Sequence, residues 1–69
     1  MGEGMNQRPI SRSEYDQLTP MLQGYVTYTQ GQWNPAIPNR NPYYERTKEW
    51  QAFQRGENLA ALDVQGYGG

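Results

Sequence analysis

The stretch Asn41-Pro42-Tyr43-Tyr44-Glu45-Arg46-Thr47-Lys48-Glu49-Trp50-Gln51-Ala52-Phe53-Gln54-Arg55-Gly56 decides how this chain is read. Asn-Pro reads as a helix start, because an Asn side chain accepts a bond from an unpaired first-turn amide and proline fits the first helical turn. The spacing then predicts a helix from residue 42 to about residue 62. Tyr43, Thr47, Trp50, Phe53 and Ala60 make one face of it; Ala52, Gly56 and Leu59 make an adjoining one. Arg46, Lys48, Glu49 and Arg55 point elsewhere as a solvated charged side, on which Glu45 and Lys48 can pair across three positions. Gly56 costs about 1 kcal/mol against Ala in a helix interior. Its presence implies a bend or the close approach of another backbone.

Working back towards the N-terminus, Ser11-Arg12-Ser13-Glu14 has the form of a capping box, with a short helical turn through Tyr15, Asp16, Gln17 and Leu18. Thr19 reads as the cap of a second helix with Pro20 at its first position. Met21, Leu22, Tyr25, Tyr28 and Thr29 give it one apolar face over about residues 20–30. The β-branched Val26, Thr27 and Thr29 argue against helix there, and Gly31 supplies the C-cap. Residues 31–41 hold two prolines and three asparagines and form an irregular loop. Its apolar members Trp33 and Ile37 should fold back onto the helices, Trp33 either as a lid over the core or as an exposed anchor.

The expected fold is therefore all-α: a small helix-loop-helix domain over residues 11–64, with two antiparallel helices. Leu22, Tyr25, Tyr43, Trp50, Phe53 and Gly56 are its structural core. Residues 1–10 read as a disordered arm, in which Met5 can serve as the natural start and residues 1–4 as a remnant; residues 65–69 read as a flexible tail.

At 69 residues the chain makes one small domain, and a core of that size supplies only about 3–5 kcal/mol. There is no Cys, which excludes disulfides, and no His, which removes the commonest general base and metal ligand. No metal site and no cofactor are expected. Six Tyr, two Trp and one Phe carry much of the 35 % hydrophobic content, and aromatic rings bury a large area each. Six basic and seven acidic residues are interleaved, giving a net charge of -1 with no basic stripe of the kind a free nucleic-acid binder shows. No apolar run approaches a membrane span or a signal-peptide core, so a soluble cytoplasmic protein is expected.

The order Gly24-Tyr25, Gly31, Asn41-Pro42-Tyr43, Phe53, Gly56 and Ala60 resembles the ribosome modulation factor family, small bacterial proteins also carried by phages and mobile elements. The similarity covers about residues 20–62. It implies a two-helix fold in which Tyr43, Phe53 and Gly56 are structural, and it implies ribosome binding in hibernation. Two departures stand out: a longer loop from Gly31 to Asn41, carrying Trp33 and Pro35, and a slightly acidic charge where ribosome-binding members are strongly basic. The resemblance thus bears on the fold more than on rRNA contact.

Catalysis is the weakest functional class. Glu45 and Glu49 are the one close carboxylate pair on the expected helix, and Ser11 and Ser13 have no His to activate them. RNA or ribosome binding ranks second: Arg40, Arg46, Lys48 and Arg55 lie near Tyr43, Tyr44 and Trp50, where arginines beside aromatics can bind phosphate and stack bases. A non-catalytic protein-binding modulator or inhibitor ranks first, because Tyr, Trp and Arg dominate interface energetics. The phage-borne members of the resembling family suggest a host protein as its target. The expected contact residues are Trp33, Arg40, Tyr44, Arg46 and Arg55, with homodimerisation through the aromatic helix face as a related expectation.

Overall fold

The structure, a computed structural model, describes residues 8–68 and, within them, the side chains of residues 8–64. Among the described residues the regular structure is all helical, with no strand: α1 Arg12–Asp16, α2 Pro20–Gln30 and α3 Lys48–Gly68. α1 starts where its capping box predicts. Ser11 Oγ accepts from the Glu14 amide at 3.1 Å, and the Glu14 carboxylate accepts from the Ser11 amide at 2.8 Å. The amide of Ser11 is also the main reason the Glu14 pKa lies below its ordinary value. α2 is capped by Thr19, whose hydroxyl faces the Leu22 amide, with Pro20 opening the helix. The β-branched residues do not interrupt it. Thr29 turns its hydroxyl back onto the carbonyls of Tyr25 and Val26, which absorbs the polar group within the helix. Gly31 caps α2 in the right-handed region and donates its amide to the Thr27 carbonyl at 2.9 Å.

The long helix departs from expectation at both ends. Asn41-Pro42 does not start it. Asn41 Oδ1 accepts from the Tyr43 amide two residues on, closing a local turn, and Arg46 has φ 76°, which no helix accommodates. α3 begins at Lys48 instead. Thr47 is its cap: the hydroxyl accepts from the Trp50 amide at 3.1 Å and donates to the Tyr44 carbonyl at 2.7 Å. Glu45 consequently lies outside the helix and forms no pair with Lys48. At the other end α3 runs on through residues 65–68 to Gly68, within the stretch 65–69 expected to be a flexible tail; residue 69 lies outside the described residues.

α2 and α3 cross at two glycines. A Cβ on Gly24 would collide with the Phe53 carbonyl, its carbon lying 2.8 Å away; one on Gly56 would collide with the Met21 carbonyl and stand 2.9 Å from the Tyr25 nitrogen. Each helix thus lays bare backbone against the backbone of the other. Beyond the crossing, Tyr25 donates its hydroxyl to Asp63 at 2.6 Å, and Val64 stands beside Tyr28 and Trp33. The C-terminal half of α2 therefore leans towards the C-terminal half of α3, and the pair is crossed rather than antiparallel. The 17-residue segment 31–47 makes that connection possible, since an extended chain reaches about 3.3 Å per residue.

Among the described residues, Tyr15, Ile37, Phe53 and Ala60 are the buried hydrophobic ones, Phe53 and Ala60 at 0 % exposure. Tyr43 meets Phe53 edge-on, with ring centroids 6.1 Å apart. Leu22 is not in the core; it is 46 % exposed. Gly24 faces α3, and residues two apart on a helix point roughly 200° away from each other, which turns Leu22 outwards. Tyr25, Tyr43 and Trp50, also expected in the core, are half-buried. Residues 1–7 of the expected arm lie outside the described residues. Residues 8–10 are docked: Gln30 and Asn34 hydrogen-bond the backbone of Arg8 and Ile10.

Candidate protein-binding surface

Residues 31–47 lack regular structure yet are tied down along their length. The Asn34 and Trp33 amides donate to the Gln30 carbonyl, and the Ile37 amide donates to the Asn34 carbonyl. Asn34 Oδ1 accepts from the Ala36 amide at 3.0 Å, and Ile37 is buried at 4 % exposure. Further on, Asn41 Nδ2 donates to the Trp50 carbonyl and to Gln54 Oε1, fastening the segment to α3. Tyr43 donates its hydroxyl to Gln23 Oε1 at 2.5 Å, fastening it to α2. A loop so anchored presents side chains with little ordering entropy left to lose.

Trp33 is 48 % exposed, and its indole Nε1 donates to the Thr29 carbonyl at 2.9 Å. That bond fixes the ring between two open hollows. One, of about 550 Å³, is bounded by Trp33, Asn34, Pro35, Ile37, Pro38 and Asn39; the other, of about 370 Å³, by Tyr28, Thr29, Gln32, Trp33 and Val64. Tyr28 and Val64 are 40 % and 58 % exposed. Neither was legible as a site residue, because their meeting depends on the helix crossing.

The other expected contact residues lie further along the chain. Tyr44 is 87 % exposed, the most open of the large hydrophobic residues among those described. It opens a turn closed by the Thr47 amide on its carbonyl at 3.3 Å, with Arg46 at the left-handed position. An L-residue held there costs roughly 1–2 kcal/mol, and glycine is the usual occupant. Arg40, Arg46, Lys48 and Arg55 are exposed and form no ion pair; among the described residues the pairs are Arg8–Glu14 and Arg12–Asp16. No described contact joins Tyr44 or these cations to Trp33. The structure therefore gives two features: the Trp33 ridge with Tyr28 and Val64, and the Tyr44–Arg46 turn leading into α3.

No protein-family model, curated protein or solved structure matches the chain. The chemistry is accordingly read from the residues alone. Among the described residues no group of three or more His, Cys, Asp or Glu could hold a metal ion, and no helix is long and apolar enough to cross a membrane. Glu57, half-buried on α3, has its pKa raised by desolvation. Its carboxylate has no described partner, so burial acts on it without compensation. The surface thus offers exposed aromatic rings on an anchored loop and, further along the chain, exposed cations with no ion pair among the described residues.

Proposed function

We propose that this chain is a small, non-catalytic protein-binding modulator that engages its target through Trp33 and the Tyr44–Arg46 turn. The observation that carries the reading is the exposure of Tyr44, at 87 %, in a turn that holds Arg46 in a strained conformation. The turn backbone prepares the Thr47 cap of α3, while the Tyr44 ring stays outside the packing, and backbone strain clusters at ligand-contacting positions. Trp33, pinned by its indole bond and open on both sides, supplies a second rigid anchor. Arg40, Arg46 and Arg55, exposed and without an ion pair among the described residues, would pair with acidic groups of a partner.

A second reading is ribosome or RNA binding, as the resemblance to the ribosome modulation factor family suggests. Arg40, Arg46, Lys48 and Arg55, four of the six basic side chains, have no ion pair among the described residues and favour it. Glu45 and Glu49 stand among them and oppose a phosphate backbone, which ranks this reading second.

Binding by the Trp33→Ala and Tyr44→Ala variants tests the proposal. Both should lose the partner recovered by the unmodified chain from a cell extract, and Tyr44→Ala should melt within about 0.5 kcal/mol of it, as exposed substitutions do. Undiminished capture of the same partner by both variants would refute the assignment.

A further inference from the structure

The buried polar side chains among the described residues are Gln23, Thr27, Gln30 and Asn34, each no more than 6 % exposed. Their spacing of four, three and four puts them on one stripe of α2 and its C-terminal continuation. Each bonds the segment that precedes α2. Gln23 Nε2 donates to the Tyr15 carbonyl at 3.0 Å, and Thr27 Oγ1 shares a 3.0 Å hydrogen bond with the Tyr15 hydroxyl. Gln30 reads the backbone at two points: its Nε2 donates to the Arg8 carbonyl at 2.9 Å, and its Oε1 accepts from the Ile10 amide at 3.2 Å. Asn34 Nδ2 donates to the Ile10 carbonyl at 3.1 Å and to Gln30 Oε1 at 2.9 Å. Among the described residues no buried side-chain polar atom lacks a partner, so the stripe depends on its occupant to be satisfied.

That occupant is a separable arm. α1 touches α2 and not α3. The arm buries one ring deeply, Tyr15, half-buries Ile10, and is further held by the hydrogen bonds above. Only Gln17, Leu18 and Thr19 join it to α2, and Pro20 fixes the direction in which α2 departs.

We propose that the arm exchanges between two copies of the chain, each laying its residues 8–16 into the polar stripe of the other. The stripe recognises backbone groups at Arg8, Ile10 and Tyr15 and one phenol in fixed register, and the arm of a second copy carries all of them. Exchange leaves every one of these bonds intact and changes only which chain supplies the arm's groups: the accepting carbonyls of Arg8, Ile10 and Tyr15, the Ile10 amide and the Tyr15 hydroxyl. A three-residue hinge sets the balance, as short hinges do in exchanged dimers. The tethered arm competes at an effective concentration on the order of 1 mM, so the exchanged dimer should become abundant as the protein approaches that concentration.

Sedimentation equilibrium of the full chain from micromolar to about 1 mM tests this, together with isotope-filtered NMR on a mixture of labelled and unlabelled copies. A monomer–dimer equilibrium with a nuclear Overhauser contact between Tyr15 of one copy and Thr27 of the other is expected. Deleting Gln17 and Leu18 prevents the arm from folding back and should shift the dimer to at least tenfold lower concentration. A full chain that stays monomeric to that limit, with a monomeric hinge-deleted variant, would overturn the proposal. So would a dimer in which the Tyr15–Thr27 contact stays within one copy, since another surface would then hold it.

Discussion

Replacing Gly56 by Ala sets two effects of opposite sign against each other. In a solvated helix the change should stabilise by about 1 kcal/mol, because glycine is the poorer helix former. Here the new methyl group would meet backbone: the Met21 carbonyl in direct collision, its carbon at 2.8 Å and the Tyr25 nitrogen at 2.9 Å. Backbone within a helix cannot swing aside as a side chain does, so α2 must lift away by on the order of 1 Å. A gap of that size forfeits about a quarter to a half of the dispersion energy at each contact it opens. The Gly24–Phe53 contact opens with it. With overpacking costing up to about 3 kcal/mol or more, the net destabilisation should be about 2 kcal/mol. Thermal unfolding followed by circular dichroism would then show a midpoint roughly 8–16 °C lower in a domain of this size. Asn58→Ala, exposed on the same helix, should leave the midpoint unchanged or slightly raised. A Gly56→Ala midpoint equal to or above the unmodified one would refute the crossing.

Phe53→Ala should cost about 3–5 kcal/mol, enough to unfold the domain, as a flat far-ultraviolet melt would show. Arg46→Gly should relieve the left-handed strain and raise stability by about 1 kcal/mol in urea unfolding. Glu57→Gln should raise the melting midpoint at pH 7 and lose that advantage in acid. The sign follows from burial, which raises the folded pKa of Glu57 above its unfolded value. Its stabilising protonation is complete below the unfolded pKa and is lost as pH rises through the folded one. Glu14 has the opposite sign: its pKa is lowered chiefly by the Ser11 amide, so the capping box should weaken as pH falls through its folded pKa. Comparing Glu14→Gln with the unmodified chain across acid pH, where the difference should vanish, checks this.

The parts of the fold set by local chemistry were legible in the sequence. Ser11 with Glu14, and Thr19 with Pro20, announce two helix starts through side chains that satisfy nearby amides. Gly56 announced a bend or a close backbone approach, because a glycine inside a helix needs a reason, and the backbone of Met21 and Tyr25 lies against it. The start of α3 was missed because Asn41-Pro42 serves two purposes equally well: the same Asn oxygen that can cap a helix can close a turn. Thr47 carried the true signal, a hydroxyl three residues before Trp50, but the apolar pattern running through Tyr43 masked it. The docking of residues 8–10 was hidden for a different reason. It rests on backbone groups read by Gln30 and Asn34, and backbone groups leave no mark in a hydrophobic pattern. At the candidate surface, the exposure of Trp33 and Tyr44 follows from their place in a proline-rich loop and beside Tyr43. The company Trp33 keeps with Tyr28 and Val64 needed the tertiary crossing.

The salt dependence of binding tests the proposed function most directly. The chain, immobilised through its N-terminus, is exposed to cell extract and to purified ribosomes between about 50 and about 200 mM salt. An aromatic protein interface predicts a protein partner whose retention changes little over that range and is lost in Tyr44→Ala. Retention of ribosomes or naked RNA that falls by about fiftyfold or more over the same range, as contacts from the four cations would give, would contradict the account.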